Sequence, residues 1–105
     1  MSSTKDFRDY VVGDLLSGAE GISSRAMFGG FGLYRGGKVF AFILANELYL
    51  KAQGEDREEL ERLGGRPFTY RNPKGKLVTM PYTVVPAMLL EDRTALSAWV
   101  YRITN

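Results

Sequence analysis

The stretch from Ser24 to Tyr34, Ser-Arg-Ala-Met-Phe-Gly-Gly-Phe-Gly-Leu-Tyr, constrains the fold of this chain more than any other. It sets Gly29, Gly30 and Gly32 among Met27, Phe28, Phe31, Leu33 and Tyr34. Glycine lacks a Cβ, so it takes positive φ and lets another backbone or a bulky side chain come close. Inside an apolar strand pattern it marks a bulge, a bend or a close backbone contact. The pattern predicts short strands at Arg25–Phe28 and Gly32–Arg35 with a tight bend between them.

Further strands follow. Gly36-Gly37 is the two-residue signature of a primed hairpin turn, which needs positive φ at both positions. Val39–Leu44 is apolar on both faces, so it reads as a central strand covered on each side or lying at a subunit contact. Ala45-Asn46 turns the chain into Glu47–Lys51, with Leu48 and Leu50 on one face and Glu47, Tyr49 and Lys51 on the other. Phe68–Arg71 and Lys76–Met80 form a second hairpin around Asn72-Pro73-Lys74-Gly75, whose Pro and Gly suit a type I turn. Pro81 lacks an N–H and belongs at an edge or where pairing ends.

Three helices complete the pattern. Residues 4–17 place Phe7, Tyr10, Val11 and Leu15 on one stripe, with Ser3 as N-cap and Gly18 and Gly21 as the stop. Glu55–Leu63 is short and acidic, with only Leu60 and Leu63 as anchors, so it is expected to lie loosely on the surface. From Asp92, the N-cap, to Ile103 the stripe is Leu96, Trp99, Val100 and Ile103. The order is helix, strand meander, helix, hairpin, helix. It predicts one α+β domain over residues 1–105, an antiparallel meander sheet with helices packed on one face.

Chemistry is narrowed by what is missing. The chain has no cysteine and no histidine among its 105 residues, which removes thiolate and imidazole catalysis, disulfides and the usual zinc ligands. No catalytic residue, metal site or cofactor is expected. Gly32 to Lys38 has the spacing of a phosphate-binding loop, but Val39 replaces the Ser or Thr that holds Mg²⁺, and a strand follows rather than a helix. The dinucleotide fingerprint fails too, because Arg35 stands where the third glycine belongs. The five acids of Glu55–Glu61 read as a solvated helix face, and Glu47 is the one isolated acid between apolar strands.

The net charge of +2 does not by itself imply a nucleic-acid binder. Its distribution is uneven, with basic strand regions and acidic first and second helices. Arg35, Lys38, Lys51, Arg71, Lys74 and Lys76 are candidate nucleic-acid contacts, since Tyr34, Tyr49, Tyr70 and Tyr82 are interleaved with them. The longest apolar run is too short to span a bilayer and residues 1–20 lack a signal-peptide core. A cytoplasmic protein without a membrane segment is the expectation.

A family resemblance rests on Arg25-x-Met27-Phe28-Gly29-Gly30-x-Gly32-x-Tyr34, then Phe40-Ala41 and Leu48-Tyr49-Leu50-Lys51. Pro67-Phe68-x-Tyr70, Met80-x-Tyr82, Val85-Pro86, Leu90-Glu91-Asp92 and Leu96-x-x-Trp99 continue it. Over about residues 5–103 the chain resembles the TfoX (Sxy) N-terminal domain family. The resemblance implies a secretion-chaperone-like α+β fold. It also implies kinship with bacterial regulators of natural competence, which act with the cyclic-AMP receptor protein at promoters of DNA-uptake genes. Those regulators carry a second, helical domain, so this chain is expected to be a stand-alone member. The family offers no catalytic residues to transfer.

Together these readings predict a non-enzymatic regulatory or protein-interaction module, with a protein partner such as a transcription regulator and a homodimer as its assembly. Arg25, Met27, Phe28, Gly29, Gly30 and Phe31 are its candidate contact residues, with Met27, Phe28 and Phe31 forming a patch covered by the partner. The alternative is a nucleic-acid-binding domain using a basic, Tyr-containing strand face.

Overall fold

Tight turns between short apolar strands build the sheet of this chain. Its computed structural model describes residues 5–27 and 29–105. The strands are β1 (Ile22–Met27), β2 (Gly30–Arg35), β3 (Lys38–Leu44), β4 (Glu47–Leu50), β5 (Pro67–Arg71) and β6 (Leu77–Val84). They form one antiparallel sheet in the order β1-β2-β3-β4-β6-β5. The helices are α1 (Lys5–Tyr10), α2 (Glu55–Arg62), α3 (Ala87–Leu90) and α4 (Arg93–Thr104), and α1 runs on into a wider π turn, Val11–Leu15. The architecture is α+β, an open antiparallel sheet with its helices gathered on one face.

The predicted turns form as their chemistry requires. Gly36 and Gly37 have φ of 60° and 80°, and Ala45 and Asn46 have φ of 52° and 57°. Both pairs are therefore primed turns, closing Arg35 onto Lys38 and Leu44 onto Glu47. At the second hairpin Gly75 N–H donates to the Asn72 carbonyl (2.8 Å), and Asn72 Oδ1 accepts from the N–H groups of Lys74 and Lys76. Pro81 sits where pairing lapses. The β5–β6 register passes from Thr69↔Thr79 to Pro67↔Thr83, leaving residues 80–82 without a paired residue on β5.

Helices and sheet share one core. Val11, Leu15 and Leu16 from the first helical segment, Leu60 from α2, Leu89 from α3, and Leu96, Trp99 and Val100 from α4 pack on Phe31, Leu33, Ala41, Ile43, Leu48 and Leu50. A bulge adds Phe40. Leu33 pairs with Ala41 but Tyr34 pairs with Val39, so Phe40 is the extra residue and turns toward the helices instead of following Phe42 to the other face. It is fully buried. Strict alternation would have left this ring on the side without helices.

Other expectations need correction. Tyr10 is 48% exposed rather than part of the inner stripe. The π bond from Leu16 N–H to the Val11 carbonyl (2.9 Å) adds a residue to the turn, so Val11, Leu15 and Leu16 face inward. Leu63 is exposed, so Leu60 alone anchors α2 apolarly, and polar contacts join it to α4 and β6. Arg102 of α4 bridges Asp56 (2.6 Å) and Glu59 (2.9 Å) while stacking on Trp99, and Arg57 donates to Thr83 Oγ1 and the Met80 carbonyl. The Asp92 cap holds as expected, its carboxylate accepting from Ala95 N–H at 3.0 Å. The short α3 after Pro86 was not anticipated. The Ser3 cap lies outside the described residues.

Candidate functional site

With all helices on one side, the alternate residues of each strand face outward together. Paired residues of an antiparallel sheet share a face. Gly32↔Phe42↔Tyr49↔Val84 therefore runs across the face opposite the helices. Tyr82 and Met80 on β6 and Phe68 and Tyr70 on β5 join the same face. Met27, Phe42, Leu44, Phe68, Tyr70, Met80 and Tyr82 line an open groove of about 500 Å³. Aromatic rings on this face meet in tilted pairs: Phe42 lies 6.2 Å from Tyr82 at 51°, and Tyr49 lies 5.1 Å from Phe68 at 34°. No described helix covers this face.

Gly32 shows why glycine is placed here. A Cβ on it would meet Met27 Cε at 3.1 Å, Met27 Sδ at 3.2 Å and Tyr34 Cε1 at 3.3 Å. Its missing side chain is the slot into which the Met27 thioether and the Tyr34 ring fold. Arg25 covers the outer side of that ring, its guanidinium 5.4 Å from the centroid. Polar groups occupy the rim. Tyr49 Oη donates to Glu47 Oε2 (3.0 Å), and Arg66 approaches Glu47 Oε1 at 3.8 Å. Burial first, then the Glu47 carboxylate, pushes the Tyr49 phenol above its usual 10.0, with Arg66 opposing. Tyr82 is raised by burial and, less, by Tyr34.

The predicted contact residues divide. Met27 lines the groove and Arg25 stands at its β1 edge. Gly29 takes the positive φ of the bend, 77°. Gly30 is buried against the Ile43 carbonyl of the neighbouring β3. Phe31 is not part of an exposed patch. It is 8% exposed and belongs to the helix-side core, with Arg8 over its ring at 4.9 Å; strand alternation puts it on the face opposite Gly32. Phe28 lies outside the described residues.

The basic set divides as well, and it does not line the groove. Arg35 is a structural clamp, donating to the Glu20 carbonyl (2.9 Å) and Thr104 Oγ1 (2.8 Å) and stacking on Tyr101 at 4.3 Å. Lys38 and Lys51 flank a separate recess of about 340 Å³ beside Ile103 and Thr104, at the end of α4. Arg71 donates to the Gly75 carbonyl of its own hairpin (2.9 Å), next to exposed Lys74 and Lys76. Glu47, the isolated acid, is engaged by Tyr49 and Arg66 at the surface. Among the described residues no group of three or more Asp, Glu, His or Cys gathers to hold a metal ion.

The groove residues Phe42, Leu44, Phe68 and Met80 were not singled out as a site from the sequence. Their signal was present as spacing of two, in Phe42-x-Leu44, Phe68-x-Tyr70 and Met80-x-Tyr82. Spacing alone does not say which face the helices take.

The profile of the TfoX N-terminal domain matches residues 14–103, from the π turn to the end of α4. The chain belongs to the TfoX N-terminal domain family. The match takes in every strand and thus the whole groove of this TfoX N-terminal domain. No curated protein sequence matches it closely enough to add a relative. No described helix is long and apolar enough to cross a membrane.

Proposed function

We propose that this TfoX N-terminal domain is a non-enzymatic regulatory module that binds a protein partner through the open sheet face, in the manner of competence regulators that work with a transcription factor. The observation that carries this reading is the groove itself, apolar and lined by Met27, Met80 and four rings on the open face of the sheet. Methionine and aromatic side chains give large, adaptable contact area, and an apolar face of this kind on a small domain marks a binding surface. The same composition argues against the nucleic-acid alternative. A strand-face platform for bases needs a run of cations tracking the backbone beside its rings; here Arg25 and Arg66 stand at the rim, while five of the six candidate cations lie in the end recess or the β5–β6 hairpin and Arg35 is a clamp.

The partner fitting this face presents a continuous apolar surface, such as one side of an amphipathic helix. Tyr70→Ser and Met80→Ser remove groove contacts while leaving the helix-side core intact. A regulator protein captured by the native chain from its own cells should bind the purified domain with a negative heat-capacity change. Both variants should weaken that binding at least tenfold. Equal affinity of both variants for the partner, or turnover of a small metabolite by the purified chain, refutes the proposal.

A further inference from the structure

The two edges of the sheet differ, and the difference concerns assembly rather than the groove. At one edge β5 carries Pro67, an irregular register and Arg71 at its end, with Arg66 just before it, all devices that discourage strand pairing. At the other, β1 has no proline and no register shift, and four of its six residues, Ser23, Ser24, Arg25 and Ala26, are exposed. No described strand pairs with its outer side.

The hydrogen-bond parity of β1 follows from the glycine turn. Arg35 and Lys38 flank the two-residue Gly36-Gly37 turn, so their main-chain groups point at each other. Alternation then points Tyr34, Gly32 and Gly30 toward β1, where they meet Ser23, Arg25 and Met27. The N–H and C=O groups of Ile22, Ser24 and Ala26 consequently point outward.

We infer that β1 pairs antiparallel with β1 of a second copy of this chain, about a two-fold axis at Ser24, joining the two sheets into one. Two-fold interfaces require self-complementary surfaces, and this strand is one. With Ser24 opposite itself, Ile22 lies opposite Ala26 of the second copy. All the outward groups of three residues per copy are then satisfied, about six main-chain hydrogen bonds. Neighbouring registers do less. Centring on Arg25 sets like charges face to face on the same side of the sheet, which is destabilising, and centring on Ser23 leaves Ala26 unpaired. In the Ser24-centred register Arg25 faces Ser23 of the second copy, Ser24 faces itself, and no like charges meet. Small side chains along the strand let the two backbones approach. The inference does not rest on the groove, which stays open on the joined sheet.

The chain has no cysteine, so introduced thiols report this register directly. Ser23 and Arg25 of opposite copies form a non-hydrogen-bonded pair with Cα atoms about 4.5 Å apart, within disulfide reach. The double variant Ser23→Cys/Arg25→Cys should give a covalent dimer on mild oxidation, as should a mixture of the two single variants. Neither single variant alone should cross-link. The unmodified chain should sediment as a dimer at about 100 µM and dissociate on dilution. Ser24→Pro, which removes an N–H that faces solvent in the single copy, should sediment as a monomer with an unchanged far-ultraviolet circular dichroism spectrum. A single-chain mass for the unmodified protein at the highest concentration overturns the inference. So does a covalent dimer from Arg25→Cys alone, or a dimer whose double variant fails to cross-link. If Ser24→Pro unfolds, the cross-linking result decides.

Discussion

Gly30→Ala tests whether the glycine-rich bend is architecture. A Cβ at position 30 would overlap the carbonyl oxygen of Ile43, closer than the 3.0 Å below which real Cβ contacts essentially never fall, with the carbonyl carbon at 3.1 Å. The obstacle is backbone in the central β3 strand, so no rotamer change relieves it and β2 must move away from β3. Overpacking costs about 1–3 kcal/mol and more where nothing can yield; with a backbone obstacle the cost should reach about 3 kcal/mol. For a domain of this size that lowers the melting temperature by roughly 10–20 °C. Gly32→Ala is the matched control. Its nearest neighbours are the tips of Met27 and Tyr34, which swing into the open groove, so the cost should stay below about 1 kcal/mol. Urea unfolding followed by Trp99 fluorescence gives both values. A Gly30→Ala midpoint within about 0.5 kcal/mol of the parent, or a larger loss for Gly32→Ala, refutes the reasoning.

Two further predictions concern buried polar groups. Thr83 is fully buried, its hydroxyl donating to the Ala52 carbonyl (3.0 Å) and accepting from Arg57 Nε (3.2 Å); Thr83→Val keeps the shape and should cost about 1–3 kcal/mol by urea unfolding, whereas no loss would show that water satisfies both partners. Tyr49 and Tyr82 hold their protons above the usual 10.0 because burial penalises the phenolate. The folded values being raised, their contribution to stability is complete below pH 10 and is lost as pH climbs from there through the folded values. Ultraviolet titration should show a late-ionising fraction of tyrosine that Tyr49→Phe and Tyr82→Phe each reduce, while a single uniform transition near pH 10 in the native protein contradicts this.

Much of this fold was legible one element at a time. Gly36-Gly37 and the Asn72–Gly75 segment carry their turn types in their residues, and Asp92 ahead of the Leu96–Trp99 stripe marks α4, because these signals act within a few residues and water alone decides them. The glycines of the bend likewise announced close backbone contact, and Pro81 announced a break in pairing. Where Gly30 meets β3 and what breaks beside Pro81 were not legible, since both belong to strands distant along the chain.

Arrangement across the sheet was decided by packing. Phe31 and Met27 sit in one apolar run, yet one is core and the other lines the groove, because only the docking of α1 and α4 determines which face is covered. Phe40 and Phe42 look equivalent in sequence, and a bulge against β2 sends the first to the helices and leaves the second on the open side. Tyr34, Tyr49, Tyr70 and Tyr82 do gather on one face, while the basic residues interleaved with them scatter to a clamp, a recess and a hairpin. A local pattern fixes the periodicity of side chains at each strand. Which of two faces becomes interior is a choice made by the whole chain, since apolar burial depends on what lies opposite and not on what lies next in sequence.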